Sequence, residues 1–454
     1  TSKLHHCEWN GHDLHLVDTP GYTNFLHDTR GCMRVLGGAV LVVSAVDGVK
    51  AQTQTLWKSD DEFEITANAL VTKFDRERSD YLKTLDDMEK ALGCRPVAVN
   101  MPIGQEEDFK GVIDLIRMKA RIFQFDDKGT YEEGDIPADF KDEADRLHLM
   151  LMEACAEADD ELMEKYLETE QLSEEEIIRG LREGVLTGVF MPVLCGSATA
   201  NIGIRQLLDY IVICTPSPID KGTQYGVNPK SGEQEARDPD PTTSFSAMVF
   251  KTVSDPFTGK LSLFRVYSGT VKSDSMVYNS TKETSERIGQ ILLPEGKKHK
   301  PVPEAVAGDI VAVAKLKETE TGDTLCDGAK PIIYESPVSM KPVISFALEP
   351  KSKGDEEKIF SGLSRLTEED PALQIQRDVE TKEMIISGMG QVHVEVAIEK
   401  LKRKFGADVI LKEPKVPYRE TIKKTVEQAY RHKKQSGGKG QFADVTIKVK
   451  PLER

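Results

Sequence analysis

The 454-residue sequence predicts a multidomain chain that runs from α/β to all-β to α+β and ends in the beginning of a fourth domain. Three observations carry this. Near-continuous apolar runs at Val40–Ala45, Ala69–Val71 and Pro192–Cys195 suit strands of a parallel sheet buried on both faces. Short β runs separated by turn residues fill 242–331, the pattern of a small closed barrel. Residues 338–412 read as β-α-β-β-α-β, the split βαβ or ferredoxin-like arrangement. A chain this long exceeds what one hydrophobic core can serve, and about three domains are expected.

Each element has its own signal. A hairpin is predicted from Lys3 to Trp9 and His12 to Val17, because Asn10-Gly11 is a strong two-residue turn. The first domain spans 1–217 and is interrupted over about 99–190 by an insert. In the insert, Gly111–Leu115 and Met118–Phe123 read as strands, followed by acidic helices over 138–158, 160–167 and 173–186. Leu147, Met150, Leu151 and Ala154 recur at helical spacing and are expected on a packed face. Helix Gly203–Cys214 closes the domain at Thr215-Pro216-Ser217-Pro218, a stop signal.

Residues 218–241 are polar and rich in Gly and Pro, hence a linker. The α+β unit follows the barrel: strand Val343–Leu348, helix Asp355–Thr367, hairpin Leu373–Arg377 with Glu383–Ser387, helix Gln391–Phe405 and strand Val409–Leu411. Val394, Ala397, Ile398, Leu401 and Phe405 form the stripe expected in its core. Residues 413–454 begin the fourth domain, with one β run, Phe442–Val449, after a Gly-rich basic loop.

The net charge of −16 is unevenly placed. Residues 141–180 hold 14 Asp/Glu against 4 Lys/Arg, whereas 412–450 hold 11 Lys/Arg against 4 Asp/Glu. The basic end can therefore meet phosphates although the whole chain is acidic. Seven scattered cysteines without a Cys-x-x-Cys pair read as reduced structural thiols, and no metal motif is evident among nine histidines. No apolar run reaches the roughly 20 residues of a membrane span, so a cytoplasmic protein without a membrane partner is expected.

The chemistry concentrates at three strand ends. Leu14–Val17 leads into Asp18-Thr19-Pro20-Gly21. There a carboxylate can hold Mg²⁺ near a terminal phosphate, and Gly21 lets its amide approach a phosphoryl oxygen closely. Ala69–Val71 leads into Thr72-Lys73-Phe74-Asp75, and Pro192–Cys195 into Gly196-Ser197-Ala198. Such ends line a ligand crevice at the carboxyl edge of a sheet. Asp75 can accept two hydrogen bonds from guanine, the Lys73 stem can cover the base, and Ser197 and Ala198 can offer backbone N–H. Adenine would leave those groups unmatched.

These motifs resemble the translational GTPases, specifically elongation factor G and its relatives. The resemblance extends through Met33-Arg34-Val35-Leu36, Asp47-Gly48-Val49, Pro414–Ile422 and Gln435–Gln441. It implies GTP and Mg²⁺ as cofactors, with Asp18 as the metal-side residue. It also implies a nucleotide site built from Asp18, Thr19, Pro20, Gly21, Thr72, Lys73, Asp75, Ser197 and Ala198, and the ribosome as partner of a monomer. The basic segment 431–440 would be the RNA contact. Elongation factor G carries a water-orienting histidine where this chain has Tyr22, which with Gly21 forms the expected catalytic pair, and an asparagine where it has Thr72. Both departures point to a divergent elongation-factor-G-like subgroup.

No Gly-x-x-x-x-Gly-Lys-Ser/Thr segment occurs, so a P-loop-type GTPase domain that is only partial is expected, in a chain truncated at both ends. A longer parent would be a GTPase acting in translocation, and this stretch alone would be inert. The alternative is a ribosome-protection or stress factor that uses GTP as a placement switch with weak or altered hydrolysis.

Overall fold

The computed structural model describes residues 2–63, 65–255, 259–296, 298–336, 340–352, 354–418 and 420–452. Strands β1 (Lys3–Trp9) and β2 (His12–Asp18) pair antiparallel. The turn between them has Asn10 at φ 47° and Gly11 at φ 74°, the pair of left-handed residues that a tight hairpin requires. The hairpin leads through a short 3₁₀ turn, Thr23–Phe25, into helix α1 (Leu26–Met33).

Strands β3 (Gly38–Ser44) and β4 (Thr66–Thr72) follow, separated by helix α2 (Ala51–Phe63), and helix α3 (Tyr81–Leu92) leads to β5 (Pro96–Ala98). The insert then forms an antiparallel meander, β6 (Asn100–Ile103), β7 (Gly111–Asp114), β8 (Lys119–Phe123) and β9 (Tyr131–Gly134). Helices α4 (Ala138–Glu157), α5 (Asp160–Thr169) and α6 (Glu174–Thr187) complete it, the last begun by a Ser173–Glu176 capping box. The chain returns to the sheet as β10 (Met191–Cys195) and closes with α7 (Ile204–Cys214).

The parallel sheet has the order β3-β4-β10-β5. One apolar core runs through sheet and insert alike, including Val43, Val71, Met88, Val112, Leu151, Leu181 and Val193. This corrects the expectation of a partial α/β domain, because the four strands, their helices and the insert pack as one body. Met150 is also corrected. It is 45% exposed, because the buried stripe of α4 runs through Ala144, Leu147, Leu151, Ala154 and Cys155.

The polar stretch after α7 is structured rather than a bare linker. A Ser217–Asp220 capping box starts helix α8 (Pro218–Lys221), and β11 (Gln224–Val227) pairs with β12 (Gln234–Arg237). An eight-stranded antiparallel sheet then spans Ser246–Cys326. In the α+β unit the spatial order of strands is Gln374–Arg377, Met384–Gly388, Ile344–Pro350, Val409–Lys412, with α9 (Glu356–Glu369) and α10 (Gln391–Phe405) packed on it. The last unit differs from expectation. Val426–Lys434 is a second strand paired with Gln441–Val449, so Arg431–Lys434 lies in a ribbon and the loop proper is 435–440.

Helix α1 joins the units. Asp28 accepts from the Lys251 ammonium on the barrel, from the Ser2 N–H at 2.5 Å and from the Ser2 hydroxyl at 3.0 Å. Lys251 also donates to the Ser2 hydroxyl at 2.7 Å. Burial raises the Asp28 carboxyl pKa, but the charge of Lys251 and these hydrogen bonds outweigh it and hold the group below its ordinary value. A carboxyl depressed in the folded state gives stability that is full above the unfolded value of about 4 and lost as pH falls through the folded one. Asp28→Asn should cost about 3–5 kcal/mol at neutral pH, because it strands a buried ammonium. Its loss of stability below about pH 4 should also be shallower than in the wild type. Urea unfolding at pH 7 and pH 3 checks both.

Candidate functional site

Parallel pairing places Ser44 beside Thr72 and Val71 beside Cys195. The carboxyl ends of β3, β4 and β10 therefore finish together, and their loops share one edge, as ligand crevices in α/β sheets do. Buried Asn100 secures the end of β10: its side-chain carbonyl accepts the Cys195 N–H at 2.6 Å, and its amide donates to the Cys195 carbonyl at 3.3 Å.

Past β4, Lys73 adopts a left-handed φ of 69°, which costs a non-glycine residue about 1 kcal/mol. Phe74 is fully buried and anchors the turn. The Lys73 ammonium stays largely exposed, 3.6 Å from Asp47, which also takes the Ser44 hydroxyl at 2.9 Å and the Lys50 ammonium at 3.2 Å. Asp75 faces the β10 loop, where the Ser197 hydroxyl donates to it at 2.7 Å and Thr199 at 3.3 Å. Burial pushes the Asp75 carboxyl upward, and these donors with neighbouring Arg76 more than reverse that, so it is held charged. The Ser197 N–H is taken by the Ile202 carbonyl at 2.9 Å. Ala198 is therefore the residue of that pair with a backbone donor for a ligand.

Asp18, Thr19, Pro20, Gly21 and Tyr22 form a second group, between β2 and the 3₁₀ turn. Asp18 is exposed, and among the described residues no hydrogen bond or ion pair engages its carboxylate. Thr29 of α1 donates to the Pro20 carbonyl at 3.3 Å, tying the loop to the helix behind it. Space is open at Gly21: among the described residues no atom lies within 4 Å of where a Cβ would stand. Tyr22 is 72% exposed. The structure thus joins Thr72, Lys73, Asp75, Ser197 and Ala198 at one edge. No hydrogen bond links that edge to the Asp18–Tyr22 group among the described residues. Sequence reasoning misses Thr199 and the Asp47–Lys73 pair. The one local signal for Thr199 is a hydroxyl two residues after Ser197.

Ser197→Ala removes the shorter of the two hydroxyl donors to Asp75. The Asp75 carboxyl should then titrate at higher pH than in the wild type, as read from its carboxyl carbon shift by NMR.

Comparison with known proteins bears on the whole chain. The elongation factor Tu GTP binding domain matches residues 1–217, elongation factor G domain 2 matches 244–328, domain III matches 340–413 and domain IV matches 414–454. Elongation factor G of Thermotoga maritima is 44% identical over 446 residues, 98% of this chain and 64% of that protein. Elongation factor G of Thermotoga petrophila is 43% identical with the same coverage. A crystal structure of a Thermus thermophilus protein superposes with a TM-score of 0.83 at 32% identity, covering 98% of this chain and 64% of that one. The chain thus spans 64% of the length of the curated relatives it matches.

Three expectations are corrected by these matches. The relatives are named elongation factor G itself, which overturns the divergent subgroup, and the expectation of a chain truncated at both ends is set aside, since the match runs over 98% of this chain. The GTP-binding domain match runs the length of 1–217, so the expectation of a domain inert for want of a phosphate loop does not stand. Unit by unit, the chain matches the elongation factor Tu GTP binding domain and then, in order, domains 2, III and IV of elongation factor G.

Proposed function

We propose that the protein is a GTPase of the elongation factor G type that acts on the ribosome in translocation. The observation that carries this reading is the Asp75 carboxylate, held charged by Ser197 and Thr199 where β4 and β10 end, in a chain whose units follow the elongation factor G order. We divide the chain into 1–217, 218–241, 242–331, 338–412 and 413–454. Asp75 accepts from the guanine ring N–H and exocyclic amine, Lys73 covers the base, and Ala198 donates to the guanine oxygen. Thr72 and Ser197 brace these loops from the strand ends.

The Asp18 carboxylate, exposed and engaged by no hydrogen bond or ion pair among the described residues, would hold a Mg²⁺ partly through water. The open space at Gly21 fits a phosphoryl oxygen, and Thr19 and Pro20 set the path of that loop. GTP supplies the phosphoryl group that passes to water by in-line attack, with Mg²⁺ offsetting the charge. Tyr22 stands where water is oriented. A neutral phenol offers one hydroxyl where a histidine could use either ring nitrogen. That difference favours a second reading, in which GTP acts as a placement switch on a ribosome-protection or stress factor. Ribosome-stimulated turnover by the purified protein decides between them. Turnover coupled to movement of the ribosome supports translocation, and nucleotide-dependent binding without turnover supports the switch.

Asp75→Asn loses a charged acceptor for two guanine donors. It should weaken GTP by about 10–100-fold and improve xanthosine triphosphate, because acceptor and donor exchange roles at the ring edge. Equal affinities of the wild type for ATP and GTP in a fluorescence titration would overturn the guanine assignment.

The segment Arg431–Gly440 is the proposed RNA contact of a monomer. The Arg431 guanidinium is tied to Asp444 across the ribbon, whereas Lys433, Lys434 and Lys439 stand exposed. Replacing those three lysines with alanine should flatten the slope of log affinity for ribosomes against log salt by about 1 per lysine. An unchanged slope and affinity would make the segment a surface ribbon only.

A further inference from the structure

A histidine–carboxylate–histidine cluster lies between α1 and the α+β unit: His27, Asp370 and His393. All three side chains are about nine-tenths buried. The Asp370 carboxylate takes three donors. His27 Nε2 lies 3.0 Å from Oδ1, the Ala372 N–H donates to Oδ1 at 3.1 Å, and His393 Nε2 lies 2.8 Å from Oδ2. Burial raises the Asp370 carboxyl pKa, but the hydrogen bonds from His27 and His393 drive it far below the carboxylate range, so the group is an anion.

The proton positions follow from the surroundings. The Met389 N–H donates to His393 Nδ1 at 3.0 Å, so Nδ1 is an acceptor and the imidazole proton sits on Nε2, facing Asp370. That arrangement disfavours a metal. A cation on Nε2 would displace the proton to Nδ1, against the Met389 N–H. Among the described residues His27 Nδ1 is buried without a partner, which leaves its contact with Asp370 as the polar bond described for the ring.

The same contact reaches the Tyr22 loop. Phe25, three residues past Tyr22, meets the His393 ring edge-on at 5.6 Å, and the two imidazoles lie 4.7 Å apart. Gly390, at the start of α10, comes so near the 3₁₀ turn that a Cβ would stand 2.2 Å from the Asn24 side-chain oxygen.

We infer that Asp370, on the α+β unit, is a positioning residue for the Tyr22 loop, acting through His27 and the turn before α1. The inference rests on the reading of Tyr22 as the residue that faces the attacking water. Movement of the α+β unit relative to α1 would then be felt at the loop through one hydrogen-bonded carboxylate.

The test compares His27→Gln, which keeps an N–H donor, with His27→Leu, which keeps only bulk, and adds Asp370→Asn, in which an amide nitrogen must face one of the donors. His27→Leu and Asp370→Asn should lower ribosome-stimulated kcat by about tenfold with KM for GTP unchanged, and His27→Gln should stay within about twofold. Amide exchange of Leu26–Met33, which needs no turnover, should quicken in His27→Leu and Asp370→Asn and stay at wild-type rates in His27→Gln. If leucine serves as well as glutamine in both readouts, the cluster is packing and the inference falls. A gain in exchange protection on adding Zn²⁺ alone would make it a metal site and overturn it as well. Absence of turnover in the wild type would refute the function proposed above, while the exchange ranking would still decide this one.

Discussion

The buried ion pair of Asp28 with Lys251 is the contact on which the arrangement of the units depends. It seats α1 against the barrel, and Ser2 ties the start of the chain to the same point. Around it, Leu4, Cys32 and Val35 join the barrel residues Met248, Phe250 and Leu263 in one apolar cluster. Burying two charges is costly, and only dense hydrogen bonding offsets it. Here, among the described residues, the carboxylate takes three donors and the ammonium two acceptors. A slipped register in the first hairpin would take the Ser2 donors and acceptor away from both charges.

That choice has a functional side. The Lys73–Asp75 and Ser197–Ala198 loops are held by their own sheet, through strand register and Asn100. The Asp18–Tyr22 loop is held from behind by α1, whose partners lie on the barrel and the α+β unit. In the proposed reading, base recognition would be local to one domain, and placement of the phosphate-side loop would be shared among three.

Much of this was legible in the sequence. Apolar runs ending in Thr72-Lys73-Phe74-Asp75 and Gly196-Ser197-Ala198 located the shared strand-end edge, because a parallel strand buried on both faces leaves few other places for polar groups. Asn10-Gly11 fixed a turn for a local steric reason. Long-range contacts were less legible. His393 sits among apolar residues of α10 and reads as one more core position, and only the fold brings it to His27. The strand Val426–Lys434 was hidden because its charged residues break the apolar alternation, and an exposed ribbon needs no such alternation. Met150 was misplaced because helical spacing leaves two adjacent faces open until packing chooses between them.

The terminal ribbon carries a consequence of its own. Its nine-residue strands pair only with each other among the described residues, and nearly every side chain on them is exposed. Nine residues of strand reach about 30 Å, and a lone two-stranded hairpin is marginally stable in water. Stiffness in such an element comes from what it touches. A polyanion that neutralised its lysines would set its shape as well as capture it, so that affinity at this end would include the entropy of ordering the ribbon and should weaken on warming more steeply than a preformed surface would.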